Sequence, residues 1–523
     1  MEHITFPRIL NLIQDILSTC PPTTENNTAP ILPKSIPPLP KSSSTLPNEP
    51  IGLDAALDQL KRDVLPYLNK ASLSPHYYGF VTGGVTSAAQ VGDILASIFD
   101  QNTAVHLPAD TIATDVEVAA LNMLGDLFNL PQEDWAVGTA GNGGGTLTTG
   151  ATASNVLGLA LGREYVLSKA AERATGEKLS VGQDGLLAVS AAANIDRIQI
   201  LSTMPHSSIA KAASIIGLGR NCVVSIVKEG HYLDIDLEKL HSLARTAAAD
   251  RTAYMVAVSA GEVNTGHFAS NSLVQMQQLR EICDHYGIWV HVDGAFGLFA
   301  RLLSNHPHEQ EEYKLLTDGV KGLELADSIT ADGHKLLNVP YDCGIFFTRH
   351  KQLSVDVFQN GGAPYLTSST ANAATNTTDT TDRIQSPLNI GIENSRRFRA
   401  LPVYTTLLAH GRSAYTALLT RQIALARSIA QYLRQHAHYE LLPPNSPIEK
   451  VFMVVLFRAR DEGVNETLAT RINGSGKIYV SGTVWGGRKA VRIAVSNWRV
   501  EVEQDVAVVR EVLDGVVGSW DAG

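Results

Sequence analysis

The stretch ADGHKLLNVPYDCG (Ala331–Gly344) sets a lysine, Lys335, between a histidine and a mostly apolar run. An ammonium buried without a partner costs several kcal/mol by order of magnitude, so this lysine needs either a counter-charge or a way to lose its charge. Upstream of it, short apolar runs alternate with helical patterns. Strands are predicted at Arg197–Leu201, Cys222–Ile226, Tyr254–Ser259 and Ile288–Asp293, and another follows the lysine at Ile345–Thr348. Between them, SSIAKAASIIGLG reads as a helix closed by Gly217 and Gly219, and DLEKLHSLARTAAAD as a helix capped by Asp236. Strand–helix alternation predicts an α/β fold with a largely parallel sheet covered by helices, and such sheets bind ligands beyond the carboxyl ends of their strands.

Beyond this centre the pattern changes. From about residue 401 a long helical stretch is followed by the strands VFMVVLFR and VRIAVSNW and a final helix, which reads as a smaller C-terminal α+β domain. At the other end, MEHITFPRILNLIQDILSTC is amphipathic and reads as a docking helix. Residues 18 to 50 are rich in Pro, Ser and Thr and are predicted to form an extended tether. The expected organisation is 1–50 as helix and tether, 51–115 as an N-terminal segment, 116–400 as the large domain and 401–523 as the small one.

The chain has 523 residues, 44% hydrophobic and 18% charged, with a formal net charge of −10. That length supports a large core and more than one domain. The acidic balance argues against nucleic acid or an anionic membrane as partner. No apolar run approaches the roughly 20 residues that span a bilayer. The N-terminus lacks a basic start, an apolar h-region and a cleavage site, so the expected location is the cytoplasm. Cys20, Cys222, Cys283 and Cys343 are far apart and form no CxxC pair, which predicts reduced thiols and no structural zinc.

Three further motifs carry chemistry. In GNGGGTLTTGATASNVLGLALGRE a Gly-rich stretch ends at Gly150, and Thr152-Ala153-Ser154-Asn155 opens a helix. That arrangement suits an anion or phosphate at the helix N-terminus, or a flexible loop with a Ser cap. It is neither a Walker loop nor a dinucleotide fingerprint. In WVHVDGAF an apolar strand ends at Asp293, where a carboxylate can pair with a cationic ring nitrogen or cap a turn. His291, two residues earlier, has no companions at metal spacing and reads as a packed core histidine, so no metal is expected. A lysine can form a Schiff base with an aldehyde, which supplies a reason for Lys335. Phosphate cradle, strand-tip acid and lysine are together the parts that hold pyridoxal phosphate. Finally, TSSTANAATNTTDTTD (Thr367–Asp382) has almost no apolar anchor and reads on its own as a solvated insertion.

With these motifs in place the chain resembles the group II pyridoxal-phosphate-dependent amino-acid decarboxylases, the family of aromatic-L-amino-acid and glutamate decarboxylases, in its microbial branch. The likeness runs from HYYGFVTGG (His76–Gly84) to SGTVWGGRKAVRIAVSNWRV (Ser481–Val500), and is most specific in DSITADGHKLLNVPYDCG and HVDGAF. It implies a fold-type-I architecture, with a mainly parallel seven-stranded sheet between helices in the large domain. It implies that Lys335 carries the cofactor, that His334, Ala153 and Ser154 contact its phosphate, and that Asp293 pairs with its ring nitrogen. Ala295 and His206 would lie on opposite ring faces, with His206 also positioning substrate. Tyr365, in NGGAPYLTSST, falls where decarboxylases of this family place a loop tyrosine; related aldehyde synthases generally carry phenylalanine there. The Thr/Asn-rich stretch then belongs to a mobile lid, residues 360–390, which in family members reaches across a dimer interface.

The resemblance also implies a homodimer with active sites at the interface and a small-molecule amino-acid substrate. Tyr78, Phe80, Thr103 and Val105 match the family's substrate-side region, and their neighbourhood leans toward an aromatic amino acid. Gln101, Asn102 and His106 keep a polar or acidic one open. An aldehyde synthase and an inactive cofactor-binding partner protein are the other readings. Three positions depart from the pattern. Leu336 replaces a common tryptophan, Asp332 replaces an asparagine near the phosphate, and Glu262 replaces a threonine near the cofactor.

Overall fold

The computed structural model describes residues 6–19, 31–138, 141–305, 311–359, 384 and 386–521. Tyr365, the Thr367–Asp382 stretch and Cys20 lie outside them. Among the described residues, twelve strands form two sheets. In chain order they are β1 (Tyr77–Tyr78), β2 (Gly144–Thr148), β3 (Arg197–Ser202), β4 (Val223–Ser225), β5 (Thr252–Ser259) and β6 (Trp289–Asp293). β7 (Ser328–Asp332), β8 (Gly344–Thr348), β9 (Tyr439–Leu442), β10 (Val454–Ala459), β11 (Tyr479–Trp485) and β12 (Arg488–Ala494) complete them. The helices that matter for the site are α1 (Phe6–Thr19), α2 (Ser87–Phe99), α3 (Ala113–Leu127), α4 (Ala151–Thr175), α5 (Ser207–Ile215), α6 (Ala400–Gln435) and α7 (Val502–Asp521).

The large sheet has seven strands in the order β2-β8-β7-β6-β5-β3-β4. Only β8 runs against its neighbours, pairing antiparallel with both β2 and β7. β5, β6 and β7 are buried along their whole lengths but for Ala253, which is why β5 and β6 read as near-continuous apolar runs rather than alternating ones. The register sets Ser259 beside Asp293 and Asp293 beside Thr330, so the carboxyl ends of three parallel strands lie in one row. β2 ends at the same edge, and the chain turns through Gly150 into α4. This is the α/β, fold-type-I architecture expected from the sequence.

The second sheet, β1-β11-β12-β10-β9, is antiparallel except that β1 joins β11 in parallel. Two residues from early in the chain thus belong to the small sheet. α6 joins the two cores: Val403, Leu407, Leu419 and Ile423 pack with the large one, whereas Leu425, Ile429 and Leu433 pack with the small one. The change of core falls inside α6, not at its start. Non-helical Gly411 (φ 58°, ψ −177°) bends this helix, a conformation that costs a residue without Cβ little.

The N-terminal helix forms as expected, and Ile9, Leu10, Ile13 and Leu17 on it are all exposed. The described part of the Pro-rich stretch is docked at its start, where Ile31 is buried against Ala71 and Tyr77. Among the described residues no helix is long and apolar enough to cross a membrane.

Candidate active site

At the carboxyl edge of the large sheet lies a cavity of about 480 Å³, a size that suits a cofactor or small substrate. Gly150–Ala153, His206, Asp293, Ala295, His334 and Lys335 all line it. The chain brings them there by one device repeated: a buried strand ends, and the next few residues cross the edge. Asp293 closes β6, and Asp332 closes β7 immediately before the helical turn Gly333–Leu336 that carries His334 and Lys335.

Lys335 has its partner. Its Nζ lies 2.8 Å from Asp332 Oδ2, while Asp332 Oδ1 accepts the Ala151 N–H at 2.6 Å. One buried carboxylate therefore caps α4 and holds the lysine. Nζ also lies 5.8 Å from the centre of the Phe296 ring. In the first turn of α4, the N–H groups of Thr152 and Ala153 have no protein acceptor among the described residues, and both residues line the cavity. Unpaired helix N-terminal N–H groups are anion donors.

Asp293 is nearly buried (7% exposed) and accepts the Asn155 amide at 3.0 Å and the Ala295 N–H at 3.3 Å. His206 caps α5: Nδ1 accepts the Ser208 N–H at 3.2 Å and lies 2.7 Å from Ser208 Oγ. Burial lowers its pKa, against an opposing pull from Asp293. His334 is likewise lowered by burial, opposed by Asp332, and its ring lies 4.4 Å from that of Tyr341.

Other expected residues sit elsewhere. The Ser154 side chain is fully buried and its hydroxyl bonds Thr148 Oγ1 at 2.8 Å, so it faces β2 rather than the cavity. Tyr78 is fully buried in the small-domain core, because its strand pairs with β11; it does not line the cavity. Phe80, two residues on, does line it and is 63% exposed. Thr103 and Val105 are buried and do not line the cavity within one chain; Thr103 bonds the Arg396 and Arg397 carbonyls. No group of three or more His, Cys, Asp or Glu side chains among the described residues is arranged to hold a metal ion.

Among the cavity residues not assigned from the sequence are Phe296, Tyr341, Val263 and Arg492. Arg492 is buried, donates from Nε to the Val263 carbonyl at 2.8 Å and from Nη1 to the Gly79 carbonyl at 3.0 Å. No carboxylate lies within ion-pair distance of it among the described residues. An arginine inside the apolar run AVRIAV was the available signal. Glu262 also lines the cavity, but its carboxylate is occupied by the Asn264 and Thr265 N–H groups and the Thr265 hydroxyl.

Comparison with known proteins agrees with this geometry. The model of the pyridoxal-dependent decarboxylase conserved domain matches residues 38–460. L-2,4-diaminobutyrate decarboxylase of Acinetobacter baumannii is 28% identical over 402 residues, covering 74% of this chain and 72% of its own. Phenylacetaldehyde synthase of Arabidopsis thaliana is 26% identical over 86% of this chain and 83% of its own. Among solved structures, Oryza sativa TDC with PLP and tryptamine shares the fold, with a TM-score of 0.78 at 21% identity over 99% of both chains. The cavity fits pyridoxal phosphate by its own chemistry, with free N–H donors for the phosphate, an acid for the ring nitrogen and an amine for the aldehyde. The match through most of the chain and the cavity's donor set lead to one conclusion: this chain belongs to the pyridoxal-dependent decarboxylase family, and pyridoxal phosphate is its cofactor.

Proposed function

We propose that this enzyme removes CO2 from an L-amino acid, an aromatic one for preference, and releases the amine. The observation that carries the reading is the meeting of the Lys335 amine, the Asp293 carboxylate and the open first turn of α4 on one cavity. Bound there, the cofactor supplies an electron sink for the pair left by the departing carboxylate. Lys335 would hold its aldehyde carbon, Thr152 and Ala153 would hold its phosphate through backbone N–H groups, and Asp293 would keep the ring nitrogen protonated. His206 and Ala295 would bound the ring. Tyr365 would give a proton to the substrate Cα, and the lid around it would exclude water.

The aromatic preference draws support from Phe80, Val81, Val263, Phe296 and Tyr341, which give the cavity an apolar side. Arg492 supports a second reading, a substrate with a second carboxylate, because it brings a buried cation with no carboxylate at ion-pair distance among the described residues. Release of CO2 from each common L-amino acid by the purified protein separates the two. Turnover of phenylalanine, tyrosine or tryptophan alone supports the first, turnover of aspartate or glutamate the second, and no turnover at all an inactive cofactor-binding protein. Amine or aldehyde as product separates a decarboxylase from an aldehyde synthase. Tyr365→Phe is expected to slow amine formation and raise aldehyde, ammonia and peroxide, each measured by product analysis. The same reading includes a cytoplasmic homodimer with sites at its interface.

A further inference from the structure

Behind the cavity wall runs a chain of buried hydrogen bonds that joins Asp293 to His206. Asn155 Nδ2 donates to Asp293 Oδ2 and to Ser208 Oγ, both at 3.0 Å. Asn155 Oδ1 lies 2.9 Å from His291 Nε2, and His291 Nδ1 lies 2.8 Å from Ser328 Oγ. Trp289 Nε1 donates to the same Ser328 oxygen at 3.2 Å. Ser208 Oγ lies 2.7 Å from His206 Nδ1. Asn155, His291, Ser328 and Trp289 are fully buried.

The hydrogens in this chain have one consistent arrangement. An ionised carboxylate only accepts, so the Asn155 atom facing Asp293 is its nitrogen and its oxygen faces His291. His291 Nε2 therefore carries a hydrogen. The Trp289 indole donates to Ser328 Oγ, which keeps its own hydrogen to give. In a neutral His291 the one proton is on Nε2, and Nδ1 accepts the Ser328 hydroxyl. Gly158 makes room for the ring: a Cβ there would meet His291 Nδ1 and Cε1 at 2.5 Å.

We infer that Asn155 and His291 are positioning residues: His291 orients the Asn155 amide so that one N–H stabilises the Asp293 carboxylate and the other the Ser208 hydroxyl that faces His206. The inference rests on the reading of Asp293 as the acid opposite the cofactor's ring nitrogen. Burial lowers the His291 pKa to about 4, which keeps the ring neutral at ordinary pH. Without the Asn155 donor, Asp293 is less stabilised as an anion and takes a larger share of the ring-nitrogen proton. The ring would then carry less positive charge, and the Lys335 nitrogen joined to the cofactor would keep its proton to higher pH.

The test uses the holoenzyme and Asn155→Leu, which removes both donors at similar volume. Its dissociation constant for pyridoxal phosphate is expected to rise about tenfold or more. The pH midpoint of the absorbance of the lysine-bound cofactor is expected to move upward by about half a unit or more. Turnover is expected to fall in kcat with KM changed less than about threefold. Unchanged affinity and midpoint, with only a lower melting temperature, would overturn the inference and leave Asn155 as packing. A measurement on the unaltered protein covers a variant that fails to fold. The 15N NMR shifts of His291, assigned by their loss in His291→Gln, should show the Nε2–H tautomer from about pH 5.5 to 8. The Nδ1–H tautomer would reverse the amide and overturn the inference. Failure of the unaltered protein to hold cofactor on Lys335 would instead sink the functional reading, and the tautomer would still be read.

Discussion

At the scale of single residues, the lysine in apolar company has a carboxylate beside it, Asp332, which it shares with the start of α4. Asp332→Ala removes a helix cap and an ion-pair partner together, and is expected to cost about 1–3 kcal/mol in urea unfolding of the cofactor-free protein. The resemblance marked the position as a departure, but its partners were not legible, because Ala151 is remote in sequence and only the β2–α4 turn brings it near. Buried histidines tie the stability of the fold to pH on the acid side. Burial lowers His291 and His267 from the ordinary 6.5 to about 4. The unfolded chain binds these protons first, so their contribution is complete above about pH 6.5 and is lost as pH falls toward 4. Each histidine is expected to steepen the loss by up to about 1.4 kcal/mol per pH unit in that window. Urea unfolding at pH 7, 6 and 5 reads the slope; a flat profile would contradict it.

At the scale of elements, the strands β3, β5, β6 and β8 and the caps Asp236 and His206 lie where pattern or motif pointed. They were legible because buried parallel strands are continuous apolar runs, and caps are local. β2 and β7 were harder to see: β2 is Gly/Thr-rich and β7 ends in the lysine motif, so neither has an apolar run. β1 was invisible, being two residues whose pairing with β11 depends on chain more than 400 residues away. Long-range contacts of this kind hold the site's frame. Arg396 donates to Glu117 at 2.7 Å and to the Leu147 and Thr103 carbonyls, all buried. Arg396→Met leaves Glu117 charged and unpaired, and is expected to cost about 3–5 kcal/mol, read as a lower denaturant midpoint. Gly158→Ala on α4 drives a methyl into the His291 ring and is expected to cost about 1–3 kcal/mol.

At the scale of the whole molecule, two sheets share one long helix, and the cavity draws its walls from both: Asp293 and Lys335 from the large sheet's edge, Arg492 from β12 of the small one. The large domain was legible because its motifs are local to strand ends. Arg492 and Tyr341 were not, since their place in the cavity depends on how the small sheet and the segment after Lys335 fold back over it. The side chains of Ile9, Leu10, Ile13 and Leu17 on α1 and of Val91, Ile94 and Phe99 on α2 are exposed apolar surface, which the proposed homodimer would cover. Gel filtration of a chain starting near Ile51 is expected to show weaker dimerisation than the full chain. The central claim is that Lys335 carries the cofactor through which CO2 is lost. It is tested most directly by following lysine-bound cofactor absorbance and CO2 release together in the unaltered protein and in Lys335→Ala. The expected result is that the variant loses both; CO2 release by Lys335→Ala at the unaltered rate would contradict the account.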